Sequence, residues 1–274
     1  MTRGRTKVGS LTVVGTGYNV AGQVTPEARS CIEAAERVFY LLSDSATSGW
    51  LKTLNVKAES LHDCYRVGEP GPQACERMVE RIVLAVRAGA DVCAVFYGHP
   101  AVCVAPGIES VRRARTEGFA AQLLPAISFE DCLFADLGVD PGSSGRLMYE
   151  ATDFLVRPRT FDTTAALILL QAGAIGLVDF TAGDQPNVAG LAVLTEVLLR
   201  HYPPTHRVAL YRMSQLPIFP PRIDWMALAD LPSAGGLSVV STLFVPPLAQ
   251  RPFDREVFSR LQQMAANVPN ASHP

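Results

Sequence analysis

Apolar residues come in short continuous runs, and between the runs they recur every three or four positions. "SLTVVGTG" (10–17) is the first run and ends in a Gly-x-Gly turn. In "TPEARSCIEAAERVFYLL", Thr25 is placed to cap a helix, Pro26 suits its first turn, and Ile32, Ala35 and Val38 keep helical spacing. Phe39 to Leu42 reads as a second strand, and the stretch 57–73, with "GEPGP" in it, reads as irregular. Helix resumes in "ACERMVERIVLAVRAG", where Met78, Ile82 and Val86 repeat every four residues and Gly89 closes it. A strand at 91–97 follows directly, inside "DVCAVFYGHPAVCVAP".

"GIESVRRARTEG" is another amphipathic helix, closed by Gly118, and "FAAQLLP" is a strand. "SFEDCLFADLG" is a helix that begins at Ser128, with Asp131 three residues later in the capping-box position. Further on, "AALILLQAG" (165–173) is strand-like, "GLAVLTEVLLRHY" is a helix, and "HRVALYRM" and "LSVVSTLFVPP" are strands. Helices alternate with strands, several of them apolar on both faces. This predicts an α/β protein with mainly parallel sheets. One sheet domain is expected over 1–117 and a second over 118–248, with 249–274 as a tail of one short helix and a frayed end. No Pro/Ser-rich linker, internal repeat or low-complexity tract interrupts them.

The 274 residues are 48% hydrophobic and 18% charged, which suits a well-buried core and argues against disorder. A net charge of −2 without a Lys/Arg block argues against nucleic acid and anionic membranes as partners. The start, "MTRGRTKVGS", is basic, but the apolar run after it (11–14) is too short for a secretory signal. No stretch reaches the ~20 apolar residues of a spanning helix, so a cytoplasmic protein is expected. Six cysteines stand at 31, 64, 75, 93, 103 and 132, none in C-x-x-C spacing. They read as buried reduced thiols rather than a metal or redox motif.

Candidate chemistry gathers at strand ends. "GTGYNVAG" (15–22) has Val20 where a dinucleotide fingerprint needs Gly, which leaves a ligand loop or a plain tight turn. "FYGHPAV" puts a phenol, a flexible Gly98, an imidazole and a rigid Pro100 at the C-terminal end of a core strand, the edge that faces ligands in open α/β sheets. His99 either orients a ligand or hydrogen-bonds a neighbouring carbonyl. Ser128 is either an N-cap or part of a polar binding turn. Ser241 and Thr242, inside an apolar strand, need partners from the backbone or from a polar cofactor.

Together these segments resemble the tetrapyrrole methylase family of S-adenosylmethionine-dependent methyltransferases. More narrowly, they resemble the borosin-type enzymes that methylate peptide backbone amides. The matching stretches are "GSLTVVGTG" (9–17), "DVCAVFYGHPAV" (91–102), "EGFAAQLLPAISFEDCLFADLGVDPG" (117–142), "YEATDFLVRPR" (149–159), "LLQAGAIGLVDF" (169–180) and "VVSTLFVPP" (239–247). "VFYGHP", "SFEDCLFADLGVDP" and "YEATDFL" are the most specific. The resemblance implies two α/β domains with S-adenosylmethionine in the cleft between them, and an interlocked homodimer. By position, the cofactor contacts are Gly15, Tyr97, His99, Val102, Cys103, Ser128, Ala172, Ser241 and Thr242.

A backbone amide is a poor nucleophile because its nitrogen lone pair is delocalised. Its methylation therefore needs help in removing the proton or in stabilising the developing oxyanion. The resemblance places tyrosines and an arginine around the "FYGHP" strand for this work. Tyr65 and Tyr97 fall on the tyrosines, but Gly71 stands where the arginine is expected, Cys75 where a further tyrosine is, and His62 in place of a phenol. Arg66, beside Tyr65, is the candidate to replace the guanidinium. Fused members carry their core peptide in a long C-terminal extension, and none is visible in the 27 residues after Pro247. A separate precursor peptide is therefore the first expected acceptor. A small-molecule nucleophile is the second, because it needs less activation, and a non-catalytic cofactor- or peptide-binding homologue is the third. A corrinoid or porphyrin precursor is the family's older substrate, and Val20 puts a Rossmann dehydrogenase further away.

Overall fold

The computed structural model describes residues 8–66, 69, 71–177, 185–216, 218–249 and 253–266. The basic start before residue 8, part of "GEPGP", the last residues of "LLQAGAIGLVDF" and the frayed end expected after 266 lie outside the described residues.

The first layer is a parallel sheet. It is built from β1 (Ser10–Gly15), β2 (Arg37–Leu41), β3 (Glu59–Ser60), β4 (Asp91–Phe96) and β5 (Ala120–Leu123), in the order β3-β2-β4-β1-β5. The β3 pairing lies in the stretch read as irregular. The first sheet also takes in β5, so it runs past residue 117. Each crossover carries a helix: α1 (Pro26–Ala34), α2 (Ser45–Leu54), α3 (Gly71–Arg87) and α4 (Ala105–Thr116). Capping chemistry starts the first two. Thr25 Oγ1 accepts from the Ala28 N–H at 3.1 Å ahead of Pro26, and Asp44 accepts from the Thr47 N–H at 2.7 Å.

β4 is the central strand, and both of its faces are buried. Val92, Ala94 and Phe96 pack with Met78, Ile82 and Val86 of α3, while Cys93 and Val95 pack with Ala28 and Ile32 of α1 and Leu51 of α2. Strand alternation sends these sets to opposite faces, which is why the sequence here is continuously apolar.

After β5 come α5 (Phe129–Leu137), α6 (Pro141–Ser144), β6 (Arg146–Glu150), α7 (Ala151–Val156), β7 (Ala166–Leu170), α8 (Val188–Leu198), β8 (Arg207–Arg212), β9 (Arg222–Ala227), β10 (Thr242–Val245) and α9 (Arg255–Ala266). The second sheet has the order β6-β7-β10-β8-β9. Only β6 and β7 run parallel; β7–β10, β10–β8 and β8–β9 are antiparallel. The expectation of mainly parallel sheets therefore fails in this half. The reason is burial. Leu167, Leu169, Val208, Leu210 and Leu243 face α8, while Ile168, Ala209 and Phe244 face Phe129 and Leu133 of α5. Covered on both sides, an antiparallel sheet has the same two-sided apolar pattern as a parallel one.

The register brings β1 and β4 to an end at one level, with Gly15 beside Phe96. A Cβ at Gly15 would overlap the Gly98 carbonyl oxygen and lie 2.7 Å from Ala126 Cβ and 2.8 Å from Pro100 Cδ. At Gly49, within α2, a Cβ meets nothing within 4 Å. Gly15→Ala is therefore expected to destabilise the fold by about 1–3 kcal/mol, as overpacking does. Gly49→Ala should stabilise it by about 0.4–1 kcal/mol. Urea-denaturation midpoints of the two variants should move in opposite directions.

Candidate functional site

Two glycine turns meet where β1 and β4 end. The Gly17 N–H donates to the Gly98 carbonyl at 3.2 Å, and the Gly98 N–H donates to the Gly17 carbonyl at 2.8 Å. Both glycines are left-handed, with φ of 63° and 61°. This conformation is easy for glycine and costly for other residues. The "GTG" and "FYGHP" motifs are thus two halves of one backbone junction.

Tyr18 lies over that junction. A Cβ at Gly98 would come within 2.6 Å of the Tyr18 ring, and the Tyr18 and Tyr97 ring centroids are 6.3 Å apart. Gln23 holds the loop, its Oε1 accepting from the Tyr18 N–H at 2.7 Å and the Asn19 N–H at 3.2 Å. Tyr18 and Val102 both pack onto the α5 side of the second sheet, with Phe129, Leu170 and Phe244. Sequence reasoning did not single out Tyr18. The available signal was a large aromatic immediately after Gly-x-Gly, where a plain turn favours small or polar residues.

Of the residues expected at the site, Gly15 serves the close approach of the two turns. His99 Nδ1 accepts from the Ala101 N–H at 3.1 Å, and the Val102 N–H donates to the His99 carbonyl at 3.0 Å. In the neutral ring this leaves the proton on Nε2. Cys103 is exposed, unlike the buried thiol expected of it, and its φ is 57°. All six cysteines are unpaired, and only Cys64 and Cys93 are fully buried. Ser128 caps α5. Its Oγ accepts from the Asp131 N–H at 3.3 Å, while Asp131 Oδ2 accepts from the Ser128 N–H at 2.7 Å.

Ala172 and Ser241 are joined by an N–H···O=C bond of 2.8 Å, and Ser241 Oγ accepts from the Ser238 N–H at 3.0 Å. Ser241 precedes β10 and Thr242 opens it, so neither lies in mid-strand as expected. Gln171, next to Ala172, has a φ of 57°. Left-handed non-glycine residues cost about 1–3 kcal/mol each and collect at functional sites. Among the described residues there are three: Ala21 in the loop after β1, Cys103 in the loop after β4, and Gln171 directly after β7. No hydrogen bond among the described residues joins the Ala172–Ser241 pair to the glycine junction. The connection runs instead through the apolar cluster that holds Tyr18, Val102, Leu170 and Phe244.

The lining suits the S-adenosylmethionine that the resemblance implies. Asn19 Oδ1 is buried and has no hydrogen-bond partner among the described residues, which leaves an acceptor on the glycine loop. Gly17, Gly98, Ala172, Ser241 and Thr242 are themselves buried, and their small side chains, turn backbone and hydroxyls are of the kind that suits a nucleoside with a polar tail.

Beside Tyr97 is a cavity of about 450 Å³, lined by Leu41, Tyr65, Gly71, Pro72, Cys75, Met78, Tyr97, Cys103, Val104, Ala105 and Pro106. None of these residues is charged. Burial pushes the Tyr97 phenol up to about 12, with Tyr65 and Cys103 adding to the effect. Burial also raises Tyr18 and Tyr65, the latter helped by Cys75. Tyr65 still exposes 55% of its surface. Arg66 does not line the cavity; its guanidinium lies 3.7 Å from Glu69, which also pairs with Arg77 at 2.7 Å.

The family profile "Tetrapyrrole (Corrin/Porphyrin) Methylases" matches residues 10–213. The chain belongs to the tetrapyrrole methylase family. It is 40% identical over 271 residues to the "Methyltransferase/ribosomally synthesized cyclic peptide omphalotin A precursor" of Omphalotus olearius. It is 39% identical over 270 residues to the corresponding dendrothelin A precursor of Dendrothele bispora. Each match takes in 97% of this chain and 64% of the relative, so the chain spans under two thirds of their length. The uroporphyrin-III-C-methyltransferase of Thermus thermophilus shares the fold, with a TM-score of 0.62 at 21% identity over 90% of this chain and 98% of that one.

Proposed function

We propose that the protein is an S-adenosylmethionine-dependent methyltransferase whose acceptor is a backbone amide nitrogen of a separate precursor peptide. The observation that carries this is the placement of Tyr97, which directly precedes Gly98 of the junction, lies 6.3 Å from the Tyr18 ring and lines an uncharged cavity. The cofactor is assigned to the junction and to the turns at Ala172 and Ser241. Relatives named as cyclic peptide precursors support a peptide acceptor. The uncharged lining suits an apolar peptide better than a polycarboxylate macrocycle, whose charges would lose water without gaining partners. After β10, the described residues of α9 are exposed and do not line the cavity.

Bound there, S-adenosylmethionine supplies an electrophilic methyl on a sulfonium sulfur, which keeps the electron pair of the breaking S–C bond. Tyr97 is a neutral phenol at pH 7, as a tyrosine at its ordinary value of 10.0 already is, and burial, which lifts it to about 12, keeps it so at higher pH. It donates a hydrogen bond to the acceptor's carbonyl oxygen as negative charge gathers there. As the N–C bond forms, the amide proton passes to the phenolate of Tyr65, which faces both cavity and solvent and returns the proton to water. Arg66, turned toward Glu69, is left out of this scheme.

The second reading keeps the methyl transfer but takes a small-molecule nucleophile as acceptor. It is favoured by Gly71 and Cys75, which offer neither guanidinium nor phenol. We place the protein in the cytoplasm as a homodimer. The unpaired thiols support the compartment. The exposed Phe253, Val257, Phe258, Leu261 and Met264 on and just before α9 support self-association.

Calorimetry should register S-adenosylmethionine binding, and mass spectrometry should show CH₂ increments on an apolar peptide. Methylation of small amines but no peptide selects the second reading. Binding without turnover on either acceptor leaves a non-catalytic homologue, and absence of binding sinks every cofactor assignment. Tyr97→Phe should lower kcat by about 10²–10³-fold; unchanged turnover would refute its role. Tyr65 sits above its ordinary value of 10.0, so its phenolate is the minor form at neutral pH. Its population grows with pH, and kcat should rise about tenfold per unit from pH 7 to 9, with Tyr65→Phe flattening the profile. Sedimentation should give a dimer that Leu261→Glu dissociates; a monomer at every concentration would remove the homodimer.

A further inference from the structure

We propose that the uncharged cavity beside Tyr97 is a subsite for one large apolar side chain, of leucine to phenylalanine size, carried by the acceptor next to the methylated nitrogen. This rests on the peptide reading above. Gly71, Cys75 and Met78 stand on α3 at spacings that share one helix face, and all three line the cavity. A Cβ at Gly71, exposed at the start of α3, meets nothing within 4 Å, whereas Met78 at the inner end of the stripe is buried in the core, so the space opens at the Gly71 end. Cys75 is half-buried one turn further on. The two small residues leave room that a larger pair would fill. The resulting volume of about 450 Å³ lies within the range of ligand pockets.

Leu41, Val104 and Pro106 complete an apolar wall, and Met78 adds an adaptable thioether that packs well on rings. A charged guest entering this space would be desolvated with no charged partner in the lining. Cys103, also in the lining, is held at a φ of 57°, a conformation that collects at ligand sites. The Tyr97 phenol forms part of the same wall, so a side chain seated there holds its own backbone amide against the proposed reacting groups.

The test uses the full-length protein and a peptide series with Ala, Leu, Phe or Glu as guest beside the methylated residue. We expect kcat/KM for the Phe guest to exceed that for Ala by about tenfold or more, with Glu lowest. Cys75→Phe and Gly71→Leu, which fill the space, should each reduce the Phe-to-Ala ratio by about tenfold. A parallel measurement needs no turnover: with methyl-¹³C-methionine protein, toluene should shift the Met78 resonance in the wild type and not in Cys75→Phe. If peptides are methylated but the series is flat and Cys75→Phe does not change it, the subsite is overturned and the peptide reading stands. If no peptide is methylated while toluene shifts Met78 and Cys75→Phe abolishes the shift, the apolar pocket stands and the peptide reading falls. A Met78 signal insensitive to toluene, together with a flat series, overturns the subsite.

Discussion

The two-way backbone bond between Gly17 and Gly98 is the contact on which the site depends. It closes the turns after β1 and β4 onto each other at the C-terminal edge of the parallel sheet. Both positions are left-handed, and neither tolerates a Cβ, since Gln23 crowds one and Tyr18 the other. The backbone pairing therefore sets where Tyr18 and His99 leave the chain, and packing on the second sheet and the Ala101 N–H then hold their side chains. Gly15 is part of the same constraint, because any larger residue would push the Gly98 peptide away.

Burial sets the electrostatic character of the site. The cavity lining is neutral, and removal from water keeps the Tyr97 phenol protonated, held up to about 12. Tyr97 is therefore a hydrogen-bond donor by environment. Tyr65, on the same cavity but half in solvent, keeps a route for a proton to water. The two phenols are divided by exposure rather than by chemistry.

Much of the first sheet was legible along the chain. β1, α1, α3 and β4 each carry a periodicity or a cap that has one sensible reading, as with Thr25-Pro26 and the Met78, Ile82, Val86 stripe. Ser128-Asp131 was equally readable, because a capping box is local. β9 was not. None of its residues is fully buried and its exposed positions, Arg222 and Trp225, do not follow strand alternation, and its pairing with β8 across the Arg207–Ala227 register is a long-range choice. Strand direction in the second sheet was also hidden, since helices cover both faces. At the candidate site, the motifs fell on the two turns that bond to each other, yet Tyr18 went unnoticed and Arg66 does not line the cavity that Tyr65 lines. Both depend on where a side chain turns after a loop, which no local pattern states.

The sequence by itself determined the α/β class, the apolar strands with Gly-containing turns at their ends, and the presence of small residues, Gly71 and Cys75, ahead of the Met78, Ile82, Val86 stripe. These follow from residue type and short-range spacing, where sterics and periodicity act within a few positions. Only the tertiary structure decided that the two glycine turns bond to each other, that Tyr18 covers the junction, and that small residues on α3 open an apolar cavity against Tyr97. The first two join segments some eighty residues apart that the register of β1 on β4 brings together, and the third joins α3 to the end of β4 through their packing in one core.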